Sequence, residues 1–572
     1  MPTRRCWPAC LLLLPLLLSS RPSYGADATR VLHGRVRDEQ GRAVFGASIR
    51  AVAEASSDDE ASSGAQALAE EISDRNGRFR LRIDRDTPLT VVVFAPGFET
   101  LRQPVDPSNA TRLELRLKSA YREQVDVTAS TRPRQPESAE SKSWIDVADA
   151  PAIALDDLLR SSPSFSLFRR SSSRFANPTT QGVTLRGLGS NGASRALVLD
   201  DGIPINDPLG GWIYWSRIPR LDVASVDLLR GGAAARYGTP ALGAAVEINR
   251  FGARPHGAAV ELSTGELGTV DGGLLAGLAL GGWDLGLAAE SFDTDGFVSV
   301  APEERGSIDR AITERHTTID LNLQRRFERG GLVARFNHFD ESRANGTPFQ
   351  ANQTDSYSWS VGGDREWSRS VATVRVYDLQ QDYEQTFSAI AGDRESERPT
   401  QRQLVPSEAR GLIATWAADL GPPHAILTIG VQGREVLADS DETSFGPPRR
   451  VTRWSARQRS TGVSAEYALP LATRCMLHAG ARWERWQNID PSLTVSVNGG
   501  PPQGGSLPER QTTSVDPYGT LTCDLPSGWS VSGSGYRGFR AQTLNELYRS
   551  FRAGSTLTQA NPELIAESLA GG

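Results

Sequence analysis

The sequence predicts a mainly β protein made of an N-terminal β-sandwich, a small α/β domain and an antiparallel transmembrane β-barrel. Three observations predict it. After Pro255 the chain falls into runs of about ten residues with two-residue alternation, apolar on one side and polar on the other. Between Val31 and Lys118, short apolar runs alternate with turn residues. At 572 residues, the chain also exceeds the roughly 250–300 residues at which one hydrophobic core stops growing, so several units are expected.

The first element is a secretory signal over residues 1–25. Arg4 and Arg5 precede the apolar run Leu11 to Leu18, and Ser23-Tyr24-Gly25 supplies small residues for cleavage before Ala26. The run is broken by Pro15 and falls short of the roughly 20 residues needed to span a bilayer as a helix. Cys10 precedes the run, which is the wrong place for a lipidated first residue. Residues 26–118 read as the sandwich, with strands Leu32 to Val36, Ala47 to Val52, Arg78 to Ile83, Leu89 to Phe94 and Arg112 to Leu117. Asp38-Glu-Gln-Gly41 and Asp74-Arg-Asn-Gly77 supply the turns. The polar stretch Ala53 to Glu71 reads as a surface loop inserted between strands.

Residues 119–143 have linker chemistry, with Pro133, Pro136 and many Ser, Glu and Arg. Inside them lies one extended candidate, Glu123 to Ala129. It is either a last strand of the sandwich or a segment free to add to another protein's sheet edge. Residues 144–250 read as α/β. Ala154 to Leu159 is a short amphipathic helix with Asp156 and Asp157 in its first turn, Leu197 to Leu199 and Val226 to Leu229 are buried strands, and Asp200-Asp201-Gly202 is a turn. Residues 251–572 carry the barrel pattern, for example Ile319 to Gln324, Ala372 to Val376, Val463 to Tyr467 and Leu477 to Trp483. We count about thirteen strands, with short connections at Gly281-Gly282, Arg329 to Gly331 and Pro526 to Gly528 as periplasmic turns. Asp295 to Thr313 and Asp490 to Gln511 read as external loops. Trp and Tyr near strand ends and the absence of a blade-length repeat argue against a soluble sandwich or propeller.

Composition excludes several functions. The net charge of -6 and the absence of basic runs interleaved with aromatics give no nucleic-acid partner. Six scattered histidines and four cysteines, two of them in the signal segment, make no metal site. No cofactor is expected: no glycine-rich stretch matches a phosphate loop. No Ser-His-Asp or Gly-x-Ser-x-Gly arrangement marks an enzyme, and Asp200-Asp201 reads as turn chemistry. Cys475 shares the lipid-facing parity of Leu477 and Trp483, and Cys523 that of Leu521 and Leu525. Each lies near a proposed periplasmic turn, so a disulfide across neighbouring strands is left open.

Two resemblances refine this reading. Gly34-x-Val36-x-Asp38-x-x-Gly41, Gly46-Ala47-x-Ile49, Asp74-x-x-Gly77-x-Phe79-x-Leu81 and Ala95-Pro-Gly97-Phe98 resemble the carboxypeptidase regulatory-like domain, an accessory module that implies docking or spacing. Residues 119–572 resemble the TonB-dependent receptors of the Gram-negative outer membrane. Val125-Asp-Val-Thr-Ala129 is similar to the TonB box, and Val183 to Gly187 and Val198 to Ile205 resemble plug motifs. Val226 to Gly231 with Arg236-Tyr-Gly238 and Ala241 to Ala244 is similar to the plug's last signature, and Thr543 to Tyr548, Asn561 to Leu564 and Glu567 to barrel motifs.

The resemblance implies that the α/β domain is a plug inside a barrel of about 22 strands. It implies uptake of a scarce ligand, small or oligomeric, such as a siderophore, a corrinoid or an oligosaccharide. The accessory domain tilts the expectation toward carbohydrate or peptide-derived ligands. The implied partners are outer-membrane lipid and the inner-membrane TonB-ExbB-ExbD complex, with TonB pairing as an added strand against Val125, Asp126, Val127, Thr128 and Ala129. Arg186 and Arg230 each precede a glycine at the end of an apolar strand, where a poorly solvated guanidinium needs a carboxylate. Glu546 and Glu567, in the barrel motifs, are the expected partners in a plug–barrel lock, and ordinary lumen-facing charges meeting solvent are the competing reading. Phe168, Arg169, Trp212, Tyr214 and Trp215 are the candidate ligand contacts, and packing of the aromatics against the barrel is the competing reading. Such a barrel runs on for about eight or nine further strands, so an incomplete barrel and a truncated sequence are expected. A non-transporting binding or structural protein of the outer membrane is the alternative function.

Overall fold

The computed structural model describes residues 30–572 except 39–40, 42, 45–46, 54–67, 75, 84–88, 96–97, 99–100, 107–111, 118–138, 150–153, 170, 186, 190–191, 254–255, 422–424, 473, 526–528 and 554–555. The signal segment and Val125 to Ala129 lie outside the described residues. The chain forms two units, residues 1–119 and 120–572.

In the first unit, alternation places every second side chain in the core. Arg78–Ile83 and Arg112–Leu117 both follow the rule of exposed arginine or glutamate and buried Phe, Leu or Ile. They flank Arg30–Asp38, which pairs antiparallel with the former and parallel with the latter. The second sheet runs in the order Ala69–Ile72, Ser48–Ala53, Leu89–Phe94, Leu101–Val105. Leu32, Ile49, Leu81, Val91, Val93 and Leu115 fill the space between the two sheets. The two strands that the alternation does not reveal, Ala69–Ile72 and Leu101–Val105, are the edges of this sheet. Their side chains are mostly exposed, so their apolar period is faint.

The second unit contains the plug and a fifteen-stranded antiparallel sheet. The plug's central sheet runs Ile203–Pro204, Ala196–Asp200, Ala244–Arg250, Val223–Arg230, Ala139–Ser143. Ala139–Ser143 corrects the linker reading. It is an edge strand pairing with Val223–Arg230, but its Ala-Glu-Ser-Lys-Ser sequence carries no apolar alternation to announce it. The helix Leu155–Leu159 forms as expected, with Asp156 and Asp157 in its first turn and Leu155, Leu158 and Leu159 in a core with Val198, Trp215, Val226 and Val246.

The large sheet is a meander from His256–Thr264 to Ser530–Arg540, closed off by Glu567–Gly571. A short strand, Gln503–Ser506, folds back on Cys475–Val497. Without these last two short pieces, thirteen consecutive strands remain of the fifteen. Three of them, Glu397–Asp419, Arg450–Ala472 and Cys475–Val497, have 23 residues each. At about 3.3 Å per residue and a tilt of about 45° they cover about 50 Å, twice the roughly 25 Å apolar band of such barrels. The wall therefore continues past the membrane. Strands accordingly run into both expected external loops, to Phe297 and to Val497.

Lipid-facing positions such as Leu285, Leu321, Val361, Val376, Ile429 and Val463 are exposed. Trp283 begins its strand and Phe327 and Trp367 end theirs beside short turns, while Trp359 stands eight residues before Trp367. Eight residues at this tilt span about 20 Å, so the aromatics mark two belts near the band's edges. Cys475 and Cys523 lie directly opposite on neighbouring strands with Cα atoms 4.1 Å apart and are disulfide-bonded, which resolves the point left open by the sequence.

Candidate functional site at the plug–barrel contact

The plug meets the sheet through charged side chains whose positions follow from strand parity. Along Ile312–Phe327, the residues Glu314, His316, Thr318 and Asp320 alternate with outward-facing residues and point inward, fully buried. They cannot be left without partners, and the plug supplies many of them.

At one end, Arg174 donates to Glu290 Oε1 at 2.9 Å and stacks 4.4 Å over the Phe292 ring. Its carbonyl accepts from Arg343 Nη1 at 3.0 Å, and Arg343 is bound to Glu341 at 2.6 Å. His316 sits between Glu314 and Glu290 at 2.8 and 3.4 Å. A second group is built on Arg250, the last residue of the strand Ala244–Arg250. It donates to Asp200 at 2.8 Å and Asp222 at 3.3 Å within the plug and approaches Asp320 of the wall at 3.5 Å. Arg335 of the wall returns the contact, to Asp200 at 3.0 Å, Asp201 at 3.5 Å and Asp320 at 2.5 Å. Two guanidinium groups thus face four carboxyls. Burial opposes charge on Asp200, but Arg250 and Arg335 outweigh it and hold this carboxyl below its usual range. Burial raises Asp222 against the pull of Arg250, and burial together with neighbouring Asp200 raises Asp201. Asp200 and Asp201 read as turn residues in the sequence, and nothing local to them announces a wall contact.

Arg236 on the helix Ala233–Tyr237 grips Glu466 bidentately, Nε to Oε1 and Nη2 to Oε2, each at 2.9 Å. Glycines on either side explain the residue types of this plug signature. A Cβ at Gly232 would stand 2.7 Å from Tyr518, and one at Gly238 2.4 Å from Glu484 and 2.7 Å from Arg482, so a larger residue would push the helix off the wall.

The described residues expected in the lock take other partners than those the sequence suggests. Glu567 accepts from Arg195 of the plug at 2.8 and 3.1 Å and from Arg540 of the wall at 2.7 Å. Glu546 binds Arg540 at 2.9 and 3.0 Å and closes a capping box with Thr543 on the helix Leu544–Tyr548. That helix touches the plug through Asn545 N–H donating to the Leu209 carbonyl at 3.0 Å. Arg230 donates to Glu140 of the plug's edge strand at 2.6 Å. Arg186 lies outside the described residues. Arg195 and Glu140 were missed, the first because it precedes its strand instead of ending it, the second because it sat in the apparent linker.

Of the ligand candidates, Phe168 is exposed. Arg169 is buried against Asp156. Trp212 and Tyr214 are covered by Tyr383 and Phe339 of the wall, ring centroids 6.4 and 5.9 Å apart, and Trp215 packs against Phe165 in the plug core. These aromatics fill the plug and its seam. Beside them, Gln381 of the wall donates to Asp207 Oδ2 at 2.6 Å and accepts from Arg217 at 2.9 Å. Burial pushes the Asp207 carboxyl up to about 6, against the opposing bonds from Gln381 and Gly210.

Comparison with known proteins follows this division. Residues 134–245 match the TonB-dependent receptor plug domain, 283–568 the TonB-dependent receptor-like β-barrel and 31–118 the carboxypeptidase regulatory-like domain. No curated protein matches the chain. Among solved structures, the copper transporter OprC is 15% identical, with a TM-score of 0.60 over 76% of this chain and 68% of its own. The ferric yersiniabactin uptake receptor FyuA from Yersinia pestis is 15% identical, with 0.55 over 76% and 67%. The ferric citrate transporter FecA is 15% identical, with 0.53 over 70% and 62%. The chain thus spans about two thirds of their length, and at such identity the likeness is one of fold. The barrel family alone accounts for half of the 572 residues, and together with the plug match it shows that the chain belongs to the TonB-dependent receptors.

Proposed function

We propose that this protein takes up a scarce ligand across the Gram-negative outer membrane, driven through TonB. The observation that carries this reading is that the plug is seated on the wall by charge pairs, two of them buried, Arg174 with Glu290 and Arg250 with Asp320, and two part-buried, Arg236 with Glu466 and Arg195 with Glu567. A buried ion pair fixes register strongly yet contributes little net stability, because the same charges regain hydration when separated. Such a seat suits a plug that must hold its place and still be displaced. Val125, Asp126, Val127, Thr128 and Ala129 are assigned as the strand that TonB extends, with the TonB-ExbB-ExbD complex supplying the pull. Glu567 and Arg195, with Arg540 and Glu546 behind them, form the lock, and Phe168 is the plug side chain open to ligand. Arg169, Trp212, Tyr214 and Trp215 reach ligand only if the plug shifts. Siderophores, corrinoids and oligosaccharides are the ligands to test; the solved structures of similar fold are named for ferric yersiniabactin, ferric citrate and copper.

The test is accumulation of labelled ligand by cells whose only receptor is this chain, with and without TonB, and with Val127→Pro. Import predicts that surface binding persists while accumulation is lost in both deficient cases. Accumulation that ignores TonB would overturn the energy coupling, and binding with no accumulation in any strain would favour the non-transporting binding protein.

A further inference from the structure

The N-terminal unit carries a charge distribution that its core does not require. On the outer face of its three-stranded sheet, Arg78, Arg80 and Arg82 project from one strand, His33, Arg35 and Arg37 from the central strand, and Arg112 and Arg116 from the third. Glu114 is the one carboxylate that the described strands add to this face. The register sets like charges side by side, Arg78 opposite Arg35 and Arg37 opposite Arg116, while His33 lies between Arg80 and Arg112. Cationic side chains directly across from one another destabilise a sheet. Among the described residues no ion pair involves Arg35, Arg78, Arg80, Arg82, Arg112 or Arg116. The outer face of the other sheet differs, since Arg50 there is paired with Glu70 at 2.9 Å. The whole chain is acidic, at -6, so this lattice is not a general surplus of arginine over acid.

We propose that this face docks on an anionic phospholipid surface. The arginines stand about 5 Å apart across strands and about 7 Å apart along them, a flat grid suited to a layer of phosphates, which guanidinium groups bind in bidentate fashion. A protein interface of comparable strength would be expected to offer a buried aromatic or apolar anchor. The only apolar side chain among these outward positions is Val31. The unit is also covalently tethered to a membrane-spanning sheet, which raises its effective concentration at a headgroup layer, and each arginine near an anionic surface adds to the attraction.

The experiment uses the full chain reconstituted in nanodiscs of neutral lipid, mixed with separate vesicles of phosphatidylcholine alone or with about one third phosphatidylglycerol. Reconstitution itself reports on membrane insertion, and neither TonB nor imported ligand is present, so failure of docking is separate from failure of the import reading. The nanodiscs are expected to float with anionic vesicles and not with neutral ones. Binding should weaken at least about tenfold when ionic strength rises from about 0.1 M to about 0.5 M, where the screening length falls to about 4 Å. The triple variant Arg78→Glu/Arg80→Glu/Arg82→Glu should lose flotation, and Arg112→Ser/Arg116→Ser, which leaves the other strands intact, should lower it. Equal flotation with neutral vesicles, or none with either, overturns the proposal. Capture by immobilised poly-glutamate without vesicle binding overturns it in favour of an acidic protein partner.

Discussion

Arg236 and Glu466 show how much of the plug–barrel contact rests on single side chains. Glu466 is nearly buried while Arg236 keeps partial exposure, so removing the arginine leaves a carboxylate without its bidentate partner. A double-mutant cycle with Arg236→Ala and Glu466→Ala should give a coupling of about 1–3 kcal/mol, read as the urea midpoint for protease protection of the plug; additive effects would mean the pair does not hold it. Asp207 gives a pH signature. Its carboxyl is raised to about 6 in the docked plug, against about 3.9 when free. Below about pH 4 both states are protonated and the group is neutral to stability. Between about pH 4 and 6 the docked state holds a proton that the free state releases, so docking weakens as pH rises, by about 3 kcal/mol in total. Asp207→Asn should flatten plug stability across that interval, and an unchanged slope would assign it to other groups. The sequence marks Glu567 and Arg236 through their motifs, but Arg195, Arg250 and Asp320 are legible only in three dimensions, since a charged side chain on plug or wall looks the same in sequence whether water or an opposite charge meets it.

Among the elements, the short helix Leu544–Tyr548 and the hairpin bearing the disulfide have separable roles. Thr543 and Glu546 cap the helix reciprocally, and Glu546 also holds Arg540. Glu546→Lys should therefore loosen the plug, seen as faster protease cleavage within residues 139–250, and unchanged protection would remove this helix from the lock. Cys475 and Cys523 are separated by 48 residues, for which chain-entropy arguments give at most about 4 kcal/mol. Cys475→Ser should lower the barrel's unfolding midpoint in denaturant without altering plug protection. Element legibility tracked amphipathicity. The long wall strands and Leu155–Leu159 stand out because one face is apolar, whereas Ala139–Ser143, Ala69–Ile72 and Leu101–Val105 are edge strands with little buried side chain, so backbone pairing decides them and the residue pattern says little.

At the scale of the whole molecule, the wall is a continuous ladder of backbone hydrogen bonds, and the plug is joined to it largely by side-chain pairs. Urea should consequently unseat the plug first. Fluorescence of Trp212, buried at the seam with the wall, and of Trp215, buried in the plug core, should change at lower urea than the heat-modifiable electrophoretic mobility of the barrel, and coincident transitions would show a single cooperative unit. The three-part division was legible because each part has its own hydrophobic period. The seat of one part in another was not, because it is written in pairs hundreds of residues apart, such as Arg195 with Glu567. One such seat lies on a reinforced piece of wall. Gly232 rests on Tyr518 and Gly238 on Arg482 and Glu484, and these belong to the two strands that Cys475 and Cys523 staple at the end away from their external loop. The staple closes this hairpin into a covalent ring, so its strands cannot be peeled apart from that end while the bond is intact, and under reducing conditions this piece of wall becomes the more compliant one.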